Sequence, residues 1–438
     1  MADVPTDWLD RSARLHPRRI ALVDPGGEIG YAELRARAGA VAAALAERGV
    51  GAGDPVAIDA PAGIVHAVAL HGAILAGAVA QSLPASGRDG VDVAPGTHYI
   101  EAGDVVRAVA GAGAWPAIRR APRAPLTRVL SSGTTGAPKP VELTAANHLW
   151  SALASALRLG VEADDRWLCC LPLNHVGGLT ILLRSALYGT AAEIHPGFDL
   201  ERVAAALASG RISIVSLVPT QLVRLLDAGA AIERPRLLLV GGGPLPADAL
   251  AAAIQRGATV VGTYGLTEAC SQVCTLAPSE AHAHPGSVGR PLLGVEVRIE
   301  DGQILVRGPN VAPAAADADG WLRSGDLGRL DGDGFLRLAG RREDLIVSGG
   351  ENVRPERVEA ALRSLPGVAD AAVVGVADRE WGERVEAHVV LAAGAEPSAA
   401  ELLERARAVL ARHELPKRIH FRAELPRTAT GKLQRRLL

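Results

Sequence analysis

The stretch Ser131-Ser132-Gly133-Thr134-Thr135-Gly136-Ala137-Pro138-Lys139-Pro140 follows a short apolar run, Leu126 to Leu130, and has almost nothing to bury. What it offers instead is backbone N–H groups and several hydroxyls, free to surround an anion. It reads as a phosphate-cradling loop, and the chain has to be a fold that can present one. The spacing is not Walker A, because Ala-Pro-Lys follows the second glycine and no Ser or Thr stands directly after the lysine. Nor is it the dinucleotide fingerprint of three spaced glycines opening a helix.

Further motifs follow in order: Gly262-Thr263-Tyr264-Gly265-Leu266-Thr267-Glu268, Gly320-Trp321-Leu322-Arg323-Ser324-Gly325-Asp326, Gly340-Arg341-Arg342-Glu343-Asp344, Ser348-Gly349-Gly350-Glu351-Asn352, and Leu425-Pro426-Arg427-Thr428-Ala429-Thr430-Gly431-Lys432. In that order and spacing they resemble the core motifs of the adenylate-forming superfamily of acyl-CoA synthetases, adenylation domains and luciferases. The resemblance runs from about Trp8 to the C-terminus.

At 438 residues the chain has room for two or three domains and a large core. Aromatics make up only 3 % of residues, so that core is built mainly from Ala, Val and Leu. A formal charge of −2 with no long run of one sign leaves no electrostatic footprint for nucleic acid or an anionic membrane. A small-molecule partner is expected. Cys169, Cys170, Cys270 and Cys274 have neither metal-site nor disulfide-framework spacing, which fits a reduced, cytoplasmic compartment. The start of the chain lacks the pattern of a signal peptide, and the apolar stretch Ile64 to Ala80 is too short to span a bilayer. Lys139, Lys417 and Lys432 are the only lysines among 46 basic residues, and two of them fall inside the motifs. An ammonium kept in so Arg-biased a chain points to a role for a compact, flexible charge.

Taken in order, Tyr31, Leu34, Ala38, Val41, Ala42 and Leu45 recur at helical spacing with Gly49 as a stop, and Pro55–Ile58 and Ala78–Ala80 are short buried strands. Ala85 to Pro125 carries no motif. Asn147–Leu159 is helical, and Arg166–Leu171 is a strand delivering Pro172-Leu173-Asn174-His175-Val176-Gly177-Gly178, an arrangement that sets an imidazole at a pocket rim. An apolar helix, Leu179–Leu187, is interrupted by Arg184, which needs a partner because burying it alone costs several kcal/mol. Ile212–Val218 and Arg236–Val240 are β-like runs; the second and Ala258–Val261 open into small-residue loops, as in the nucleotide crevice of an α/β sheet. Alternating runs at Gly294–Ile299 and Gln303–Arg307 suggest a β-rich subdomain. Beyond about Arg342, a strand at Val368–Val376, the run Arg384–Leu391 and a helix over Ala399–Ala411 make a compact α+β unit. The fold class expected is α/β: a large N-terminal adenylate-forming domain, residues 1–341, with α/β sheets and the β-rich subdomain, and a small mobile α+β C-terminal domain, residues 342–438.

The resemblance implies attack of a carboxylate on the α-phosphate of ATP, giving an acyl-adenylate and pyrophosphate, followed by transfer to a thiol. Both first reactants are anions, so such a site must neutralise charge and align the attack. It implies that Ser131, Thr134, Thr135 and Lys139 hold the phosphates, and that Glu268 binds Mg²⁺. Tyr264, Gly265 and Thr267 would lie at the nucleotide, with Gly242 and Gly243 allowing close backbone approach. Asp326 and Arg341 would meet the ribose, and Lys432 the reacting carboxylate and α-phosphate. Glu343 stands at the family's hinge, and Gly349 and Gly350 at its CoA tunnel.

Within the superfamily, the runs Leu171–Ser185 and Thr267–Leu276 look most like the 2-succinylbenzoate–CoA ligases of menaquinone biosynthesis. Such an acid carries two carboxylates, one activated and one held. His175 is a candidate catalytic and acid-binding residue, with Arg184, Ser271 and Gln272 as further acid-binding candidates. Asn174, Pro140 and the alanine-rich segment after Asn310 depart from the usual family pattern. Another aryl- or acyl-CoA ligase, a stand-alone adenylation enzyme and a non-catalytic nucleotide-binding relative stay open, as does a homodimer.

Overall fold

The computed structural model describes residues 8–111, 115–116, 121–131, 139–342, 344–348, 351–378, 381–428, 431 and 433–438. The chain divides into two compact units, Met1–Val297 with Leu305–Leu322, and Arg298–Ile304 with Arg323–Leu438.

Two sheets organise the first unit. One has nine strands in the order Arg290–Pro291, Ser271–Thr275, Val260–Leu266, Leu237–Val240, Ile214–Leu217, Arg166–Cys169, Ala191–Ile194, Ile20–Asp24, Gly27–Gly30. Its middle is parallel, and the end pairs are antiparallel. Ile-Val-Ser-Leu at 214–217 and Leu-Leu-Leu-Val at 237–240 are buried at every position, as parallel strands covered on both faces must be. Val203, Leu207, Leu222 and Leu225 from the flanking helices complete this core.

The second sheet, in the order His98–Glu101, Pro55–Asp59, Val79–Ser82, Pro125–Ser131, Lys139–Thr144, is parallel except for its last pair. The loop therefore joins a hairpin whose return strand, Lys139–Thr144, the sequence pattern did not suggest, since Pro140 and exposed Glu142 interrupt the apolar alternation.

In the second unit the helices Pro355–Arg363 and Ala399–Ala406 pack Val358, Leu362, Leu402 and Ala406 against Val373, Val385, Ala387 and Val389 of the long hairpin Val368–Asp378/Gly382–Leu391. The helix expected to reach Ala411 ends at Ala406. Ala408 and Val409 donate to carbonyls three residues back, and this tighter turn leaves Leu410 on the core and Val409 outside. Among the described residues no helix is long and apolar enough to cross a membrane.

Three buried histidines make the fold acid-sensitive. Burial lowers the pKa of His66, takes His71 down to about 4, and takes His148 down to about 3 with help from the nearby Arg184 cation. These imidazoles are neutral in the fold, whereas in the unfolded chain they titrate near 6.5. Their contribution is therefore complete above pH 6.5 and is lost as pH falls towards 4 and 3. Urea unfolding at pH 4.5 should show a stability several kcal/mol below that at pH 7.5. A His71→Leu/His148→Gln variant should flatten that slope, and an equal slope in variant and wild type would refute the assignment.

Candidate active site

The site is built around the turn between Val260–Leu266 and Ser271–Thr275. The first strand runs through the Thr-Tyr-Gly motif, so Tyr264 is a buried strand residue opposite Cys274, not a loop residue as its flanks suggested. Gly265 is demanded by packing, since a Cβ there would stand 1.8 Å from the Ser271 carbonyl oxygen. Thr267–Ala269 then makes one 3₁₀ turn that presents the half-buried Glu268. Cys270 and Ser271 follow with φ of 50° and 85°, a strained pair for residues with side chains.

Such a turn persists only if its surroundings hold it. The Ala312 N–H donates to the Glu268 carbonyl at 2.7 Å, Asn310 Nδ2 to the Ala269 carbonyl at 3.0 Å, and Ser151 Oγ to the Cys270 carbonyl at 2.6 Å. Asn147 in turn donates to the carbonyls of Pro309 and Val311. None of these four was singled out from sequence. The available signal was Thr144-x-x-Asn147, which caps the helix Ala145–Leu159 reciprocally, with Ser151 one turn further on the same face.

Both strands of the phosphate-loop hairpin, the one ending at Ser131 and the one beginning at Lys139, pack against the Thr267–Ala269 turn. These two residues are register partners, and Ser131 Oγ donates to the Lys139 carbonyl at 3.3 Å. Thr134 and Thr135 lie outside the described residues, as do Glu343, Gly349, Gly350 and Lys432. On the neighbouring strand end, Gly242 adopts φ +83°. Gly243 has only ordinary contact with Pro219 behind it, while Gly241, which sequence reading passed over, would drive a Cβ to 2.7 Å from the Thr263 side chain. Asp326 and Arg341 belong to the second unit, where they are register partners joined by an ion pair of 3.1 Å.

His175 is half-buried at the N-cap of the helix Val176–Tyr188, and Gly178 lets that helix start against the Pro172 carbonyl, 2.5 Å from where a Cβ would be. The helix packs on Ala145–Leu159 and on the strand carrying Gln272. Gln272 is buried, its Nε2 donating to Thr275 Oγ1 at 3.0 Å and its Oε1 without a partner. Arg184 is 2 % exposed. Its Nη2 donates to Ser151 Oγ at 3.0 Å, its guanidinium lies 5.9 Å from the Trp167 ring centroid, and its Nε has no partner. Burial pushes its pKa down, and among the described residues no carboxylate pairs with it. A buried guanidinium without a counter-ion is costly, and it is the kind of group an anionic ligand relieves.

Among the described residues no three His, Cys, Asp or Glu side chains gather as a metal cage. A lone carboxylate nevertheless suits magnesium, which shares its coordination between phosphate oxygens and water, and Glu268 fits that requirement.

The AMP-binding enzyme family model matches residues 9–88 and 95–314, and the model of the AMP-binding enzyme C-terminal domain matches 357–432. The 2-succinylbenzoate–CoA ligase of Bacillus subtilis (strain 168) is 36 % identical over 99 % of this chain and 97 % of its own length. The structure of o-succinylbenzoate CoA synthetase (MenE) from Bacillus subtilis with the acyl-adenylate intermediate OSB-AMP superposes with a TM-score of 0.88 at 35 % identity, covering 100 % of this chain and 98 % of that one. Its complex with ATP and magnesium ion also gives 0.88 at 35 % identity, covering all of both chains. With the two family models matching most of its length and a relative more than one-third identical over 99 % of it, this chain belongs to the AMP-binding enzyme family.

Proposed function

We propose that this chain is an ATP-dependent 2-succinylbenzoate–CoA ligase of menaquinone biosynthesis. A carboxylate oxygen of the acid attacks the α-phosphate, pyrophosphate leaves, and the CoA thiol then displaces AMP from the acyl carbon to give the thioester. The observation that carries the choice of acid is Arg184, a buried guanidinium with an orphaned Nε and no carboxylate partner among the described residues, on a helix packed against the hairpin that presents Glu268. A diacid has one carboxylate to activate and a second to satisfy such a group. The relatives' substrates support the same reading.

In this reading Ser131, Thr134, Thr135 and Lys139 hold the phosphates, Tyr264 lies along adenine, and Asp326 and Arg341 bind the ribose. Glu268 holds magnesium, which neutralises phosphate charge when bound. His175, Ser271 and Gln272 line the acid site with Arg184, and Lys432 bridges the reacting carboxylate and α-phosphate. Residues 342–438 act as the mobile domain, swinging about Glu343, and Gly349 and Gly350 leave room for pantetheine. The working compartment is the cytoplasm.

Pyrophosphate release with ATP and Mg²⁺ tests the assignment, comparing 2-succinylbenzoate, benzoate, a medium-chain fatty acid and no acid. Release specific to 2-succinylbenzoate is expected. Release specific to another acid would keep the adenylating reaction and discard this substrate.

A further inference from the structure

The buried face of the helix Ala145–Leu159 carries a chain of polar contacts that phosphate, metal and acid binding do not account for. Ser151 Oγ accepts from Arg184 Nη2 at 3.0 Å and donates its single proton to the Cys270 carbonyl at 2.6 Å. One turn earlier, His148 Nδ1 meets Cys270 Sγ at 3.4 Å, and its Nε2 meets Thr127 Oγ1 at 2.8 Å. Burial keeps the Cys270 thiol protonated, so it donates, and the neutral imidazole carries its own proton on Nε2 towards Thr127. Thr127, His148, Ser151, Arg184 and Cys270 are all nearly or wholly excluded from solvent. They join three functional segments: the strand that ends at Ser131, the turn that presents Glu268, and the helix that carries Arg184.

Resting on the reading of Arg184 as the holder of the second carboxylate, we propose that Ser151 is a positioning residue for acid selection. Its hydroxyl fixes the guanidinium against the strained Cys270 backbone, so that Nε remains the free donor for the acid. A helix needs no serine at this position, and alanine has the higher helical propensity. What alanine lacks is the one group able to accept from the guanidinium and donate to the turn at once. Without it, both the Arg184 Nη2 and the Cys270 carbonyl would be buried with a partner missing.

A double-mutant cycle in the full-length protein tests this, with acid-dependent pyrophosphate release as the assay. Ser151→Ala should raise KM for 2-succinylbenzoate about tenfold with kcat within about threefold, as expected when a hydrogen bond to a charged group is lost. Ser151→Thr, which keeps the hydroxyl, should restore KM. In an Arg184→Gln background, Ser151→Ala should change KM by less than about twofold, because the group it positions is gone. Independent, multiplying losses in the double variant would overturn the proposal and leave the acid-holding role of Arg184 standing. An unchanged KM in Arg184→Gln alone would remove that role and the proposal with it. If Ser151→Ala does not fold, Ser151→Cys enters the same cycle, since a thiol is a poor substitute for both bonds.

Discussion

Replacing Lys432 by alanine slows formation of the acyl-adenylate by about 10²-fold or more, while thioester formation from preformed acyl-adenylate stays within about threefold of the wild-type rate. The first half-reaction brings two anions together, and the side chain expected to bridge them is an ammonium near the chain end, in a sequence that otherwise uses arginine almost everywhere. The second half-reaction starts from an activated acyl group and a neutral thiol, so the same charge is not needed there. Rapid-quench measurement of each half-reaction separates the two. Equal loss in both would mean that Lys432 serves one common conformation, and the two-stage use of the C-terminal domain would have to be abandoned.

Replacing Arg184 by methionine lowers kcat/KM for 2-succinylbenzoate about 10²-fold and leaves thermal stability equal to or above that of wild type. The two effects have one cause. The guanidinium is buried with a single hydroxyl partner and an unsatisfied Nε, so the free protein carries a desolvation cost that the proposed pairing with the acid's carboxylate would offset. Methionine fills similar volume without that cost, although it leaves the bound carboxylate unpaired. Thermal unfolding beside steady-state kinetics checks both signs. A large fall in melting temperature with acid kinetics intact would make Arg184 a structural residue.

Much of this was legible in the sequence, for reasons that can be traced to particular residues. The runs at 214–217, apolar but for Ser216, and at 237–240, apolar throughout, announce parallel strands because both faces are covered, and Gly241 to Gly243 mark where the second of them turns out of the sheet. The hairpin closing the phosphate loop was hidden, because Lys139-Pro140 opens its return strand and only Val141 and Leu143 alternate inward. The glycines flanking Tyr264 resemble turn signals and suggest a loop, yet Gly265 is there to let two strands approach at a bulge. The need of Arg184 for a partner was evident from an arginine on an apolar helix. That the partner is Ser151, from a helix 33 positions away, depends on tertiary packing that no local pattern encodes.

The most direct measurement is a single turnover with purified protein, ATP, Mg²⁺ and 2-succinylbenzoate, with every product identified. Without CoA, 2-succinylbenzoyl-AMP and pyrophosphate are expected in equal amounts, and with CoA, 2-succinylbenzoyl-CoA and AMP. ADP and phosphate as products, or no acid-dependent pyrophosphate with this diacid, would contradict it.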